Sequence, residues 1–218
     1  MKQFIRKSVK KLPFYTSLKN WLVIEWEKSE ISKWERNGKP VPPPHLIKQK
    51  TLRIFAEKFG LKILVETGTY YGDMVEAMKN DFDQIYSIEL SKKLYEKAKK
   101  RFIREEKVKL IYGDSGTELG KLINKIESPA LFWLDGHYSE GVTARGDKDT
   151  PIYEELSHIL DAQEKRHVII VDDASLFGSN PAYPSIKELS DFIKSKKPDA
   201  YITVEDDSIR VTPNEVMS

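Results

Sequence analysis

Short apolar runs alternate with longer amphipathic segments through most of this 218-residue chain. Each run is short enough for a buried strand, and each intervening segment repeats its apolar residues at helical spacing. Alternation of this kind predicts βαβ units, a mainly parallel sheet and helices on both of its faces, which is a three-layer α/β sandwich. The predicted strands are 63–66, 84–88, 108–112, 130–134 and 167–171, and the predicted helices lie near 73–80, 91–104, 115–126 and 151–164.

The C-terminal part of the chain predicts one more helix and a hairpin. The helix near 185–195 opens with Ser185 and Glu188, which are spaced as a capping box. The segment 201–213 then places two strand-like runs around an acidic turn. We expect these runs to form an antiparallel hairpin at the end of the sheet.

The N-terminal part has a different character. Residues 1–39 are predicted to be helical and irregular, residues 40–44 are rich in proline, and a helix over 46–59 ends at Gly60. We therefore divide the chain into an extension, residues 1–44, and a domain, residues 45–218.

Charge is distributed unevenly along the chain. Residues 1–50 carry 12 Lys and Arg against four Asp and Glu, and they also hold Trp21, Trp26 and Trp34. We expect this basic segment to pack on the body or on a partner subunit, which allows a homodimer. The alternative is peripheral contact of residues 1–39 with an anionic membrane. Nucleic acid is not an expected partner, because the remainder carries 24 bases against 30 acids.

Composition excludes several classes of protein. There is no cysteine, so a disulfide, a thiolate metal site or a cysteine nucleophile is impossible. No run approaches the length of a membrane-spanning helix, and the N-terminus lacks the pattern of a secretory signal. We expect a cytoplasmic protein, with a peripheral membrane location as the alternative.

Candidate ligand-binding residues follow the first three predicted strands. A parallel sheet binds ligands beyond the carboxyl ends of its strands. Glu66, Gly68 and Gly72 follow the first strand in an E-x-G-x-x-x-G pattern, which otherwise indicates only a turn. Glu89 follows the second strand, where an acid can bind two ribose hydroxyls or simply favour a helix N-terminus. After the third strand, Asp114 can accept from an exocyclic amine, while Ser115 with Glu118 also fits a capping box.

Taken in this order, the residues of 45–212 resemble the class I S-adenosylmethionine (SAM)-dependent methyltransferases. That resemblance implies a Rossmann-like, seven-stranded sheet whose last strand is antiparallel, and a methyltransferase activity. It assigns Glu89 to the ribose, and Asp114 with Ser115 to the adenine. The methionine side of the donor would be bound by Glu66, Thr67, Gly68 and Gly72.

Acidic residues follow the fourth and fifth predicted strands. Asp135 comes directly after 130–134, and Asp172 and Asp173 come directly after 168–171. Three neighbouring carboxylates repel one another unless a cation is present, and a hard divalent cation such as Mg²⁺ prefers oxygen ligands. The alternative is that these residues start a turn and cap a helix. We favour a metal site, although another divalent cation fits the same ligands.

This arrangement is similar to metal-dependent O-methyltransferases, including the macrocin-type sugar enzymes. The resemblance implies that the metal binds the acceptor hydroxyl, which makes Asp135 catalytic, and it also includes Asp135 among the donor-binding residues. His137, two residues further on, is our candidate for the catalytic base. It could instead hydrogen-bond the donor or orient a loop. Two segments, 138–150 and 177–183, are expected to overhang the site, the first with Arg145, Asp147 and Lys148.

The sequence thus predicts a Mg²⁺-dependent O-methyltransferase that acts on a hydroxyl of a sugar, a glycan or a natural-product small molecule. Two alternatives remain open: a metal-independent methyltransferase with structural acids, and a membrane-associated binding protein with a methyltransferase-like body.

Overall fold

Seven strands form one mixed sheet in the part of the chain that this computed structural model describes, residues 13–135, 150–163 and 166–214. The sheet order is β3-β2-β1-β4-β5-β7-β6. Strands β1 to β5 are paired in parallel, and β7 is antiparallel to both β5 and β6. The strands are β1 (Ile63–Thr67), β2 (Gln84–Glu89), β3 (Val108–Tyr112), β4 (Ala130–Leu134), β5 (Val168–Val171), β6 (Tyr201–Glu205) and β7 (Ser208–Thr212).

Helices connect the strands and cover both faces of the sheet. A single 3₁₀ turn, Ala174–Leu176, follows β5. The helices are α1 (Pro13–Arg36), α2 (His45–Phe59), α3 (Asp73–Met78), α4 (Lys92–Arg101), α5 (Ser115–Ile123), α6 (Ile152–Leu160) and α7 (Ile186–Lys196).

Two hydrophobic cores lie on opposite faces of the sheet. Because successive strand residues point to opposite faces, Leu64 belongs to one core and Val65 to the other. One core joins the sheet to α2, α3 and α4, and the other joins it to α5, α6 and α7. Strand β4 is buried along its whole length, as expected for a central strand of a parallel sheet. The predicted three-layer α/β sandwich with an antiparallel last strand is therefore confirmed.

The chain divides into two units, residues 1–48 and 49–218. In the first unit, α1 ends at Arg36, and the buried side chain of Trp34 donates a hydrogen bond from Nε1 to the carbonyl oxygen of Pro40 over 2.9 Å. Lys39 places its ammonium group 5.4 Å from the centre of the Trp34 ring. These contacts hold the proline-rich stretch against the end of α1. The sequence-based boundary after residue 44 stays a prediction.

Most predicted element boundaries are shifted by only a few residues. β1 and β2 each extend one residue beyond the prediction, to Thr67 and Glu89, and β5 begins one residue later, at Val168. The capping box of Ser185 and Glu188 is confirmed, with the Ser185 hydroxyl accepting from the Glu188 N–H. None of the described helices is long and apolar enough to cross a membrane.

The second predicted capping box is wrong. Asp114, not Ser115, occupies the N-cap position of α5, and its side chain forms no capping hydrogen bond. Ser115 is already the first helical residue, so Glu118 lies one position too far along the helix to complete a box. The sequence pattern was present, but the helix begins one residue earlier than that pattern requires.

Candidate functional site

The predicted site residues that the structure describes lie at one edge of the sheet, at or beyond the carboxyl ends of β1 to β5. The strand order reverses at β1, which pairs with β2 on one side and with β4 on the other. A reversal of this kind opens a crevice for a ligand. Backbone hydrogen bonds extend the strand pairing as far as the first acidic residues. The Asp135 N–H donates to the Thr67 carbonyl over 3.2 Å, and the Asp172 N–H donates to the Leu134 carbonyl over 3.0 Å.

The loop of residues 66–72, which we call the donor loop, turns sharply after β1. Gly68 and Gly72 have left-handed φ values of 85° and 79°, and Tyr70 has a φ of 50°. At Gly72, an added Cβ would lie 2.6 Å from Cε2 of Phe102, so the position excludes any side chain unless the ring shifts. The N–H groups of Gly68 and Thr69 both donate to the Ile88 carbonyl, which ties the loop to β2. The two glycines thus have a conformational role at this crevice.

Glu66, the first residue of the donor loop, is buried, with 2% of its surface exposed. Burial raises the pKa of its carboxyl group to about 8, and the charges of Asp135 and Glu89 act in the same direction. A hydrogen bond donated by the Ser87 hydroxyl offsets part of this rise. Glu66 is therefore mainly protonated at neutral pH and has a proton to donate. Its predicted contact with the donor remains a prediction.

Glu89 ends β2 with both of its carboxyl oxygens oriented by the backbone. Oε2 accepts from the Tyr70 N–H over 2.8 Å, and Oε1 accepts from the Ser91 N–H over 2.7 Å. Burial raises the pKa of Glu89, and these two hydrogen bonds counteract that rise. Each oxygen keeps lone-pair capacity for a further donor. The carboxyl group is thus fixed at the crevice in an orientation that can accept from vicinal hydroxyls.

Asp114 and Ser115 stand at the start of α5, beside α6. Asp114 is half-buried, and Ser115 is buried. An added Cβ at Gly116 would lie 3.1 Å from Oδ1 of Asp114 and 3.2 Å from Cβ of Glu154, so the two helices approach closely here. The predicted adenine contacts therefore lie at the same edge as Glu89, where β3 ends.

Asp135, Asp172 and Asp173, which we call the acidic triad, converge as the sequence predicts. Each residue offers one carboxylate oxygen, and these oxygens all lie within 4.8 Å of one another. Asp172 is buried, and the other two are half-buried. Three converging hard oxygen ligands fit a divalent cation that keeps waters or ligand oxygens in its remaining positions. Whether a cation binds there remains a proposal.

The end of the sheet braces the acidic triad. Asp173 has a left-handed conformation, with φ 52° and ψ 49°, and immediately precedes the 3₁₀ turn. Asp207, in the turn between β6 and β7, accepts the Ala174 N–H on its carbonyl oxygen (2.9 Å) and the Ser175 N–H on Oδ1 (2.7 Å). The final hairpin thereby fixes the backbone that carries Asp172 and Asp173.

Glu155 is a site residue that the sequence reasoning missed. It is 1% exposed and lines a cavity of about 20 Å³, room for one water molecule, together with Asp135 and Asp172. Burial raises the pKa of Glu155 to about 7, while the nearby hydroxyls of Ser115 and Thr67 lower it. Its Oε1 atom has no partner in hydrogen-bond geometry among the described residues. The sequence signal was an acid on the apolar stripe of α6, between Ile152 and Ile159.

The two predicted overhanging segments differ in what the structure describes. His137 and the segment 138–149, with Arg145, Asp147 and Lys148, lie outside the described residues. In the second segment, Phe177 and Tyr183 pack edge to face with ring centres 5.1 Å apart. Both rings line the same cavity as the acidic triad, so this segment contributes an aromatic wall.

No protein-family model matches the sequence, and no curated protein matches it at a significant level. Solved structures do match. One is the O-methyltransferase TomG from Streptomyces achromogenes, which is involved in tomaymycin synthesis and was solved in complex with SAM. It matches with a TM-score of 0.56 and 17% identity over 86% of this chain and 88% of TomG. The SAH-bound methyltransferase PaMTH1 of Podospora anserina matches with a TM-score of 0.54 and 18% identity. That match covers 94% of this chain and 98% of PaMTH1. The chain has the class I SAM-dependent methyltransferase fold.

The methyltransferase fold does not by itself select an acceptor. A putative rRNA methylase from Clostridium thermocellum also matches, with a TM-score of 0.55 and 12% identity over 74% of this chain and 94% of that one. At identities this low, the likeness concerns the fold alone. The acceptor must therefore be argued from the residues of this chain.

Proposed function

We propose that this chain is a SAM-dependent O-methyltransferase that works with a divalent cation, Mg²⁺ in the first place. Its acceptor would be a hydroxyl of a sugar, a glycan or a natural-product small molecule. The observation that carries the proposal is the convergence of the acidic triad at the same crevice as the donor loop and Glu89. In the methyltransferase fold this crevice is where a ligand is expected.

The donor-binding half of the proposal rests on groups whose positions are fixed. The backbone-held carboxyl group of Glu89 would accept from the two ribose hydroxyls. Asp114 and Ser115 would meet the adenine, and the donor loop from Glu66 to Gly72, including Thr67 and Gly68, would enclose the methionine side. SAM, when bound, supplies an electrophilic methyl group.

The acceptor-binding half rests on the acidic triad. A divalent cation held by Asp135, Asp172 and Asp173 would lower the pKa of an acceptor hydroxyl and orient it. His137 is our proposed base, since it follows Asp135 by two residues and imidazole titrates near neutral pH. Phe177 and Tyr183 would exclude water from one side of the site.

The decisive experiment is a calorimetric titration with SAM, first with Mg²⁺ and then with excess chelator. We expect SAM to bind, and a separate Mg²⁺ heat to disappear in Asp172→Asn. Asp191→Asn, an exposed residue paired with Lys187 over 2.6 Å, is the matched control and should keep both heats. Because the metal site can require the acceptor, the Mg²⁺ titration is repeated with SAM and a panel of hydroxylated sugars present.

The outcomes separate the proposal from its alternatives. Binding of SAM with no Mg²⁺ heat under any condition, and methyl transfer that persists in chelator, would identify a metal-independent methyltransferase with structural acids. Failure to bind SAM, together with lipid binding by residues 1–39, would identify a membrane-associated binding protein. A cytoplasmic location and a homodimer belong to the same proposal, and light scattering of the purified chain measures the second.

A further inference from the structure

The surface of α4 is strongly basic on an otherwise acidic body. Residues 92–109 hold nine Lys and Arg against three acids, whereas the rest of residues 51–218 hold 15 Lys and Arg against 27 acids. The charge is therefore concentrated in one segment, which comprises α4, the turn after it and the start of β3. A field of one sign on a body of the other sign orients an approaching charged partner.

The bases line up along the outward side of the helix. Lys93, Lys97 and Lys100 follow one another at spacings of four and three residues, which places them on one face of α4, and Arg104 follows in the turn after the helix. All four are exposed, and none forms an ion pair with a carboxylate among the described residues. We call these four residues and Ile103 the basic face of α4. One acid, Glu96, interrupts it.

Two other cationic side chains near α4 form ion pairs within the fold. Arg101, on the same helix, is engaged by the Asp73 carboxylate at 2.7 Å, and Lys79 is engaged by Glu105 at 2.7 Å. The bases of the basic face have no such carboxylate contacts. Lys97 lies over the Tyr71 ring at 5.3 Å. Lys93, Lys100 and Arg104 form no ion pair among the described residues, so their charge is available to a partner.

One exposed apolar side chain, Ile103, lies among the basic residues just after α4. Ile103, in the turn after α4, is 78% exposed, the highest value among the large hydrophobic residues that the structure describes as exposed. It lies between Phe102, which is buried, and Arg104, which is exposed. A protruding apolar group surrounded by cations matches an interface that is anionic at its surface and apolar just below, which is the structure of an anionic lipid bilayer.

A nucleic acid would also satisfy the charge, but it fits the remaining features less well. Recognition of single strands uses exposed aromatic platforms between the phosphate contacts. The tyrosines nearest to α4 are partly exposed, but each already packs on another ring: Tyr95 on Tyr112 with centres 5.5 Å apart, and Tyr71 on Tyr70 at 4.2 Å. An exposed isoleucine supplies no stacking surface.

We propose that the basic face of α4 docks this protein on the surface of an anionic phospholipid membrane, with Ile103 inserted among the lipid headgroups. Helix α4 begins three residues after Glu89, at the crevice edge of the sheet, and leads back to the start of β3, so Ile103 lies toward the opposite edge from the crevice. The proposal is independent of the metal and of the acceptor hydroxyl.

The test uses the full chain and vesicle flotation. Vesicles contain either phosphatidylcholine alone or roughly one third phosphatidylglycerol, a composition that gives a strongly anionic surface. We expect partitioning onto the anionic vesicles only, weakened by added salt. Reversal of the four bases (Lys93→Glu, Lys97→Glu, Lys100→Glu and Arg104→Glu) should reduce partitioning by about tenfold or more.

A matched control separates the basic face from net charge. Lys121, Lys125, Lys187 and Lys194 are exposed on or next to α5 and on α7, the helices of the opposite sheet face, and their reversal to Glu changes the net charge equally. This control variant should retain most of its partitioning. Ile103→Ser, which leaves the charge unchanged, should weaken partitioning severalfold. Circular dichroism and the thermal midpoint verify that every variant is folded.

Three results would overturn the proposal. The first is equal loss in both reversal variants, which would mean that net charge alone acts. The second is unchanged partitioning after the α4 reversal, which would leave the basic residues 1–50 as the membrane contact. The third is absence of vesicle binding. In that case, binding of a mixed-sequence single-stranded RNA is measured by fluorescence anisotropy. RNA binding that the α4 reversal abolishes would reassign this face to nucleic acid.

Discussion

The hydroxyl of Ser87 donates a hydrogen bond to the buried carboxyl group of Glu66, across the pair of strands that carries the donor loop. Thr69 Oγ1 lies 2.5 Å from the same hydroxyl, so one serine joins β1, β2 and the loop. The crevice is thus supported by a buried polar network rather than by apolar packing alone.

Ser87→Ala should destabilise the fold, because it removes a partner from a buried carboxyl group. We expect a loss of about 1–3 kcal/mol in the free energy of unfolding, measured by urea denaturation at neutral pH. In a Glu66→Leu background, where no carboxyl acceptor remains for the Ser87 hydroxyl, the same substitution should cost less, since the two residues are coupled. Additive losses in the double-mutant cycle would show that the hydrogen bond contributes nothing measurable.

Glu89→Gln should weaken SAM binding by about tenfold or more, since it replaces an acceptor-only group beside two hydroxyl donors and one charge-assisted hydrogen bond is worth about 1.5–3 kcal/mol. Isothermal titration calorimetry measures the affinity. Glu96→Gln, an exposed acid on α4, serves as the control and should bind SAM like the wild type. Equal affinity in the Glu89 variant would remove this residue from the donor site.

Gly72→Ala should destabilise the protein more than Gly60→Ala. Both glycines have positive φ, 79° and 63°, so both substitutions carry the conformational penalty of about 1–2 kcal/mol. At Gly60 an added Cβ meets nothing within 4 Å, whereas at Gly72 it lies 2.6 Å from the Phe102 ring. The excess loss at Gly72 should shrink in a Phe102→Leu background. Equal losses of unfolding free energy at the two glycines would mean that the Phe102 ring shifts without a measurable loss of stability.

Stability should depend on pH through Glu155. Its carboxyl group has a pKa of about 7 in the fold against 4.5 in the unfolded chain, so the folded state binds more protons between these values. The contribution of Glu155 to the free energy of unfolding therefore falls as pH rises from 4.5 to 7 and levels off above. Glu155→Gln stays neutral, so its stability relative to the wild type should rise across this window by up to about 3 kcal/mol.

Urea denaturation in chelator at pH 5, 6, 7 and 8 measures this difference. Glu106→Gln, at an exposed position, controls for the loss of one carboxyl group. A constant difference between Glu155→Gln and the wild type would contradict the burial-driven shift. Glu66 has a pKa raised to about 8 and contributes a similar slope, but that slope is common to both proteins and cancels in the comparison.

The fold could be predicted from sequence because each βα unit shows a short apolar run followed by apolar residues at helical spacing, and both patterns are local. The strand-end acids could be predicted because a parallel sheet brings the residues that follow each strand to one edge, and the acidic triad is the result. Glu155 was missed because its neighbours in the site, Thr67 and Ser115, belong to other elements and are distant in sequence. The helix start at Ser115 agrees with the prediction, but the N-cap was misassigned because two adjacent residues, Asp114 and Ser115, are both good N-caps.

The brace from Asp207 to Ala174 and Ser175 also sets an order of events during synthesis. Asp172 and Asp173 leave the ribosome well before the turn at Asp206 and Asp207, whose left-handed residues close the hairpin of β6 and β7. Until β7 enters the sheet between β5 and β6, the backbone after β5 lacks the acceptors that fix it. The backbone that carries Asp172 and Asp173 is therefore fully supported only after the last strand of the chain has joined the sheet.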